Sequence, residues 1–374
     1  MGQGELQHLA QQGLGALQRG DFAAARAAFE QVTAAGASTP RLDLLLAHAT
    51  FALKDMPATI VALDAVLAAE PRNIEALMLR GDAAAGDDRA ASAYYNFALT
   101  SAAGTNPSPA IAARLAHARA QLDAANARML AHLRATVAGS NAGPRFEEAV
   151  AIVAGVKQPY FQSPTSFFYP GLPHTQFFDP ADFPWAAALE AQAPAIRAEL
   201  EAVLASDTGL KPYVEADPNR PSRGHDLMGD PNWSAFHLWE NGKPVPGNAD
   251  RCPATMAALA GLPIPRIAGR SPMALFSVLE HGTHIAAHHG MINTRCIVHL
   301  PLIVPPACRL RVGNDTRAVE AGRLMIFDDS IEHEAWNDSA ATRVVLLFEV
   351  WRPELSGGER DALTQLFEAI GSYG

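Results

Sequence analysis

Apolar positions along this chain follow two different periods. Through residues 1–105, alanine-rich stretches place apolar residues three and four apart, the spacing of helices that bury one face. Within them a pattern returns at roughly 34 residues. It reads RGDFAAARAAFEQV around Gly20, Asp21, Phe22, Ala25 and Phe29, then LKDMPATIVALDAVLAAEP around Lys54, Asp55, Met56, Leu63 and Pro71. It returns as GDDRAASAYYNFAL around Asp87, Ala93 and Phe97, with Gly81 at the small position of the preceding helix. The turn-rich SAAGTNPSPA around Gly104 and Pro107 breaks the array, and a long helix is expected over residues 109–136 before AGSNAGPR ends it. From Gln158 the chain turns aromatic and proline-rich (QPYFQSPTSFFYPGLPHTQFFDPADFPW), which favours extended wrapping over a core. A helix with one apolar face is expected over 186–206, a loop over 207–250 and a short helix at RCPATMAAL. Beyond it β-branched enrichment and closely spaced turns predict strands at 274–279, 296–304, 309–312, 324–327 and 343–351, with turns at Gly282, Gly313-Asn314-Asp315 and Gly322.

The N-terminal pattern resembles tetratricopeptide repeats: small residues at helix contacts, a bulky residue on the second helix and a proline after it. About three units, six helices, would stack into a short solenoid, whose concave face is a candidate surface for a protein or peptide partner. A plain helical bundle is the alternative. The C-terminal strands fit a double-sheet jelly roll of the cupin type, wide enough inside for a metal and one small acid. The expected fold class is therefore α+β and multidomain: a TPR-like helical domain with its connecting helix over 1–140, then a double-stranded β-helix over 141–374.

With 374 residues, 49% of them hydrophobic, the chain can build two cores. A formal charge of −10 and no long basic run argue against nucleic acid as the main partner. Cys252, Cys296 and Cys308 form no CxxC pair, so neither a disulfide framework nor a thiolate zinc site is expected. No stretch of about 18 apolar residues predicts a membrane span, and no basic-then-apolar leader is present, so a cytoplasmic location is expected.

Chemistry concentrates between Ser277 and Trp351. His288 lies in a histidine-rich turn, His333 in IEHEAW, and Arg343 ten residues later at the head of an apolar strand. Two histidines on facing strands can hold iron through neutral imidazoles, and a guanidinium placed deep in the same barrel would receive a carboxylate. That is the layout of an Fe(II)- and 2-oxoglutarate-dependent oxygenase.

From about Tyr160 to Leu355, roughly half of the chain, the segments FYPGLPHTQFFDP, WSAFHLWENGK, CPATM, FSVLEHGTHIAAHHG, NTRCIVHLPLIVP, LMIFDDSIEHEAWND and RVVLLFEVWRPEL resemble the aspartyl/asparaginyl β-hydroxylase family in order. The best-known animal members also carry tetratricopeptide repeats before the oxygenase domain. The resemblance implies His288 and His333 as iron ligands. Gly290 stands where most such enzymes place a carboxylate, as it does in this family, which leaves a two-histidine site. It implies Arg343 and Ser277 on the distal carboxylate of 2-oxoglutarate and His299 near the iron-side carboxylate. Some members carry an arginine two residues before that histidine, where this chain has Ile297; Arg295 could substitute only by reaching past Ile297.

Arg223, His225 and Trp233, in the expected loop, are candidates for the substrate wall, with plugging of the barrel end the alternative for the tryptophan. His281, His284 and His289 are expected to be ordinary hydrogen-bonding residues, and Trp336 packing. Asp328 and Asp329 are expected to cap a turn more than to orient His333. The implied reaction consumes 2-oxoglutarate and O₂ and hydroxylates an unactivated C–H, with the β-carbon of Asp or Asn in a peptide or protein the first candidate. A lipid or small-molecule acid is the alternative substrate; a non-catalytic repeat adaptor, or an isomerase or hydrolase on another metal, is the alternative class.

Overall fold

The computed structural model describes residues 2–140, 142–206, 209–215 and 226–373. The chain divides into two compact units, Met1–Gln158 and Pro159–Gly374.

The first unit is helical: α1 (Gln3–Gln18), α2 (Phe22–Ala34), α3 (Pro40–Ala52), α4 (Met56–Ala69), α5 (Ile74–Ala83), α6 (Asp88–Ala102), α7 (Pro109–Val137) and α8 (Pro144–Val153). Each helix packs on the next, so α1–α6 form the three hairpins of a TPR-like array. Asp21, Asp55 and Asp87 cap α2, α4 and α6 by accepting backbone N–H groups. A small residue recurs on the first helix of each hairpin, at Gly13, Ala47 and Gly81. A Cβ on Gly13 would sit 2.6 Å from the Phe29 ring and one on Gly81 2.5 Å from the Tyr95 ring, so the glycines permit close crossings. Phe97, expected as the bulky residue of the third unit, is instead 42% exposed, and Tyr95 takes its place at 4%. The cap Asp87 falls two residues short of the 34-residue frame, which turns a different aromatic inward.

α8 belongs to the first unit. Asn126 Nδ2 donates to the Gly155 carbonyl at 3.0 Å and Arg134 lies 3.4 Å from Glu147. The first unit thus runs on to Gln158, and AGSNAGPR is a turn between two packed helices.

The second unit carries α9 (Ala186–Ala205), α10 (Pro253–Ala260), α11 (Gly357–Ser372) and two sheets. Among the described residues the larger sheet has the order β1 (Phe177–Phe178), β10 (Met325–Phe327), β7 (Arg295–Ile303), β12 (Arg343–Trp351), β5 (Ala274–Leu279), β3 (Trp233–Glu240), β2 (Lys211–Pro212), with β4 (Lys243–Pro244) beside β3. The smaller has the order β6 (Thr283–His288), β11 (His333–Asn337), β8 (Cys308–Val312), β9 (Asp315–Ala318). All ladders are antiparallel, as in a double-stranded β-helix. β3 corrects the expectation of a loop over 207–250: it pairs with β5 and is buried along most of its length, with Phe236 and Leu238 fully covered.

Alternation along the central strands decides what faces inward. Leu346, Phe348 and Val350 of β12, with Val298 and Leu300 of β7 and Phe276 of β5, pack against α9 and α10. Val345 and Leu347 of β12, Ile297 of β7 and Leu275 of β5 pack toward Ile285 and Leu310 of the smaller sheet. Arg343, Glu349, Arg295, His299 and Ser277 share the parity of that inner set. The proline-rich 159–178 segment runs extended, tied by Gln162 Nε2 donating to Asp328 at 2.6 Å. Asp328 is in turn ion-paired to fully buried Arg352 at 2.5 Å. Among the described residues no helix is long and apolar enough to cross a membrane.

Candidate functional site

Between the two sheets lies a cavity of about 470 Å³ whose wall includes Ser277, His288, Arg295, His299, His333 and Arg343, together with Trp233. The structure thus gathers every candidate named from the sequence except Arg223 and His225, which lie outside the described residues.

His288 ends β6, His333 begins β11, and the two are directly opposite in the antiparallel register. Their rings are 4.1 Å apart between centroids. His288 Nδ1 lies 2.8 Å from the Ala286 carbonyl and His333 Nδ1 3.0 Å from that of Ile331. A carbonyl can only accept, so Nδ1 carries the proton in both rings and the Nε2 atoms are the basic ones, the tautomer that metal coordination needs. Burial holds His333 well below the ordinary imidazole range, and the neighbouring His288 adds to it. Among the described residues no group of three or more His, Cys, Asp or Glu side chains is arranged around a metal position, so the candidate donors are this histidine pair.

Where a third, carboxylate ligand would be expected two residues after His288, the chain has Gly290. A Cβ there would fall 2.0 Å from Asp329 Oδ2. Asp329 therefore fills the space a side chain at 290 would take, and the Gly290 N–H donates to the Asp329 carbonyl at 2.6 Å. Its Oδ1 is buried without a partner among the described residues. Burial pushes this carboxyl up to about 6, against the opposing pull of Arg295. Asp328 caps the turn as expected, accepting from the Ser330 N–H at 3.0 Å. Asp329 does not: it is part of the cavity wall.

Arg343 is 1% exposed, and its Nε and Nη1 have no partner among the described residues. Burial lowers its pKa to about 10. A buried, unpaired guanidinium is costly unless an anion meets it. Ser277 Oγ accepts from the Trp233 indole N–H at 3.1 Å, which orients the serine proton away from the indole. Trp233 stacks on Tyr213 at 4.1 Å and 8°. Trp233 thus braces Ser277 as well as forming wall. His299 is pushed down to about 3 by burial and then by Arg343, so it stays neutral.

Arg295 is in the cavity wall but is not free. Its Nη1 is ion-paired with Glu349 and its Nη2 lies 3.3 Å from Asp329, and Nε has no partner among the described residues. Burial alone would lower its pKa, and the two carboxylates raise it overall. Sequence reasoning missed Glu349 and Tyr213. Glu349 had a signal: it is the lone acid in the apolar strand RVVLLFEVW, in step with Arg343. Tyr213 had none. His284 and Trp336 stack on each other outside the cavity wall, His284 bonding Glu334 at 2.9 Å, while His289 does reach the wall.

The family model described as aspartyl/asparaginyl beta-hydroxylase matches residues 190–353. The chain is 37% identical over 188 residues to the ornithine lipid ester-linked acyl 2-hydroxylase of Rhizobium tropici, covering 50% of this chain and 63% of that protein. It is 34% identical over 169 residues to the aspartyl/asparaginyl beta-hydroxylase of Homo sapiens, covering 45% of this chain and 21% of that one. The chain thus spans less than two thirds of the length of these relatives. A prolyl-4-hydroxylase structure from Pseudomonas putida aligns with TM-score 0.28 at 17% identity, over 44% of this chain and 88% of that one. Over residues 190–353, within its second unit, this chain is thus similar to the aspartyl/asparaginyl β-hydroxylase family.

Proposed function

We propose that the second unit is an Fe(II)- and 2-oxoglutarate-dependent dioxygenase that hydroxylates an unactivated C–H bond. The observation that carries this is Arg343: a charged side chain with two nitrogens unpartnered among the described residues, buried at the inner wall of the cavity that also holds a histidine pair with both Nε2 atoms basic. The residues suit the group. His288 and His333 would hold ferrous iron, an ion that imidazole suits. Arg343, with the Ser277 hydroxyl, would receive the distal carboxylate of 2-oxoglutarate in a charge-assisted contact. His299 stays neutral beside it and can donate without adding a second positive charge. Asp329 Oδ1, buried and without a partner among the described residues, would accept from water in the space a facial carboxylate fills elsewhere.

Ferrous iron and 2-oxoglutarate supply, when bound with O₂, the oxidising power to break an unactivated C–H bond. The chain's own part is to orient the cosubstrate at both ends and to exclude water behind the walls formed by Leu347, Leu310 and Phe327. The relatives' names offer two substrate classes, Asp or Asn side chains and the acyl group of a lipid. The test is succinate formation from 2-oxoglutarate by anaerobically purified protein given Fe(II) and then air. The parent should form it, and His288→Ala and Arg343→Met should not; equal rates in all three would dismiss the assignment.

A further inference from the structure

His288 and His333 stand at the last register of the ladder between β6 and β11: the first strand ends at one and the second begins at the other. Beyond that register both chains leave the sheet, and the Gly290 N–H, donating to the Asp329 carbonyl at 2.6 Å, joins them once more. Two imidazoles that share a metal must keep a fixed separation, because coordination distances hold to within about 0.2 Å. Where the ladder stops, other bonds have to keep the strand ends together.

They come from the proline-rich segment. Gln162 is buried; its Nε2 donates to Asp328 Oδ2 at 2.6 Å and to the Pro173 carbonyl at 3.0 Å, and its Oε1 accepts from Asn293 Nδ2 at 2.9 Å. Asn293 lies five residues after His288 and Asp328 five before His333, so one side chain spans the two chains that carry the histidines. Both partners are fully buried, and each is fixed in turn. Asn293 accepts from the Tyr169 N–H at 2.7 Å and donates to the Tyr169 carbonyl at 2.8 Å, while Asp328 is held by Arg352 and by the N–H and hydroxyl of Ser330. The backbone that follows repeats the lacing. The Ser163 N–H donates to the Ser330 carbonyl at 2.7 Å on the His333 side, and the Thr165 N–H to the Gly290 carbonyl at 2.9 Å on the His288 side.

The junction asks for an amide. Asp328, ion-paired to Arg352, can only accept, and Asn293 Nδ2 can only donate, so the side chain between them must donate at one end and accept at the other. Glutamine does both from one planar group. A methionine of similar length does neither, and would leave both ends unsatisfied in the protein interior.

We infer that Gln162 is a positioning residue for the histidine pair: it ties the loop that follows His288 to the turn that precedes His333, and so sets the separation at which the two imidazoles receive a metal. This deepens the proposed function and rests on its assignment of a metal to those histidines. Gln162 acts through Asn293 and Asp328.

The test uses the full chain under nitrogen with 2-oxoglutarate and Co(II), a visible stand-in for Fe(II). Absorption titrations give the Co(II) affinity and the band shape of the bound ion, and hydrogen exchange on the metal-free chain gives the local stability of 289–293 and 328–332. Gln162→Met should weaken Co(II) binding by about tenfold, the scale found when a residue that orients a metal ligand is lost. It should also change the band shape and speed exchange in both segments together. Leu200→Ala, a core truncation in α9, controls for a general loss of stability and should keep the parent's affinity and spectrum. Gln162→Glu alone sets two carboxylates face to face and should bind about tenfold more weakly. Combined with Asp328→Asn it moves the carboxylate across the hydrogen bond, and binding should return to within about threefold of the parent. Parent-like affinity and spectrum in Gln162→Met, an equal loss in Leu200→Ala, no recovery in the double variant, or faster exchange confined to one segment overturns the inference. A parent that takes up no Co(II) overturns the metal assignment itself, a result told apart from the others by the exchange data, which need no metal.

Discussion

Replacing Arg343 by methionine should make the ligand-free protein more stable and deaf to 2-oxoglutarate. Methionine keeps the aliphatic stem and removes the guanidinium, whose Nε and Nη1 are buried without partners among the described residues. The fall of this group from 12.5 to about 10 through burial corresponds to roughly 3 kcal/mol at about 1.36 kcal/mol per tenfold change. The sign follows from linkage. The folded pKa of a base is depressed, so the destabilisation is present in full below pH about 10 and fades only above it. Across the neutral range it is constant. Water entering the cavity offsets part of it, so the gain on substitution should be about 1–3 kcal/mol, or roughly 2–12 °C in melting temperature for a unit of this size. The cosubstrate acts in the opposite sense: at about 100 times its Kd it should stabilise the parent by about 2.7 kcal/mol and the variant hardly at all. Thermal melts of both proteins with and without 2-oxoglutarate under nitrogen separate the two effects. A variant that melts below the parent when ligand-free, or that keeps the parent's ligand-induced shift, would refute the view of Arg343 as an anion receptor left waiting.

Gly290→Ala should destabilise the protein by about 1–3 kcal/mol in urea titrations, because the new methyl would fall on the Asp329 carboxylate; an unchanged midpoint would show that Asp329 moves aside freely. Trp233→Phe keeps the stack on Tyr213 and removes the donor to Ser277. It should raise KM for 2-oxoglutarate about fivefold, the size of one net hydrogen bond, with kcat little changed; a fall in kcat alone would contradict the bracing role. His299, held at about 3 in the fold against 6.5 ordinarily, keeps its proton only in the unfolded chain between those values. Its depressed pKa therefore withdraws stability as pH falls below 6.5, by about 2 kcal/mol at pH 5. The loss between pH 7 and pH 5, measured by denaturant unfolding, should be smaller by about that amount in His299→Asn, and equal losses would count against a buried neutral ring.

Period, small-residue spacing and the histidine–arginine offsets were enough to place the helical array, the jelly roll and the two imidazoles that meet across β6 and β11. What escaped the sequence was what depends on partners far along the chain. β3 lay in a stretch read as loop because its residues, WSAFHLWE, are covered on both faces and do not alternate in polarity. α8 was hidden by the glycines and proline around residue 143, which make a turn and equally begin a helix. Phe97 was preferred to Tyr95 because the 34-residue frame was carried across a unit that is two residues short.

The strand RVVLLFEVW shows most plainly where such reasoning stops and structure must take over. It places an arginine and a glutamate on one buried face, and opposite charges on one face invite pairing. They cannot pair: Arg343 and Glu349 are separated by roughly 20 Å at about 3.3 Å per residue. Each must be satisfied locally. Glu349 is, by Arg295 of the adjoining β7, and the Met273 N–H donates to it at 3.2 Å. Arg343 lies at the other end, opposite Leu279 of β5, where no carboxylate of the described residues pairs with it. One strand therefore carries one charge the protein neutralises for itself and one it leaves for a ligand. In the proposed function the first removes Arg295 from competition for anions, and would direct the dicarboxylate cosubstrate to the second. Glu349→Gln should accordingly weaken the discrimination between the two ends of the cavity, whereas Arg343→Met should abolish the anion site altogether.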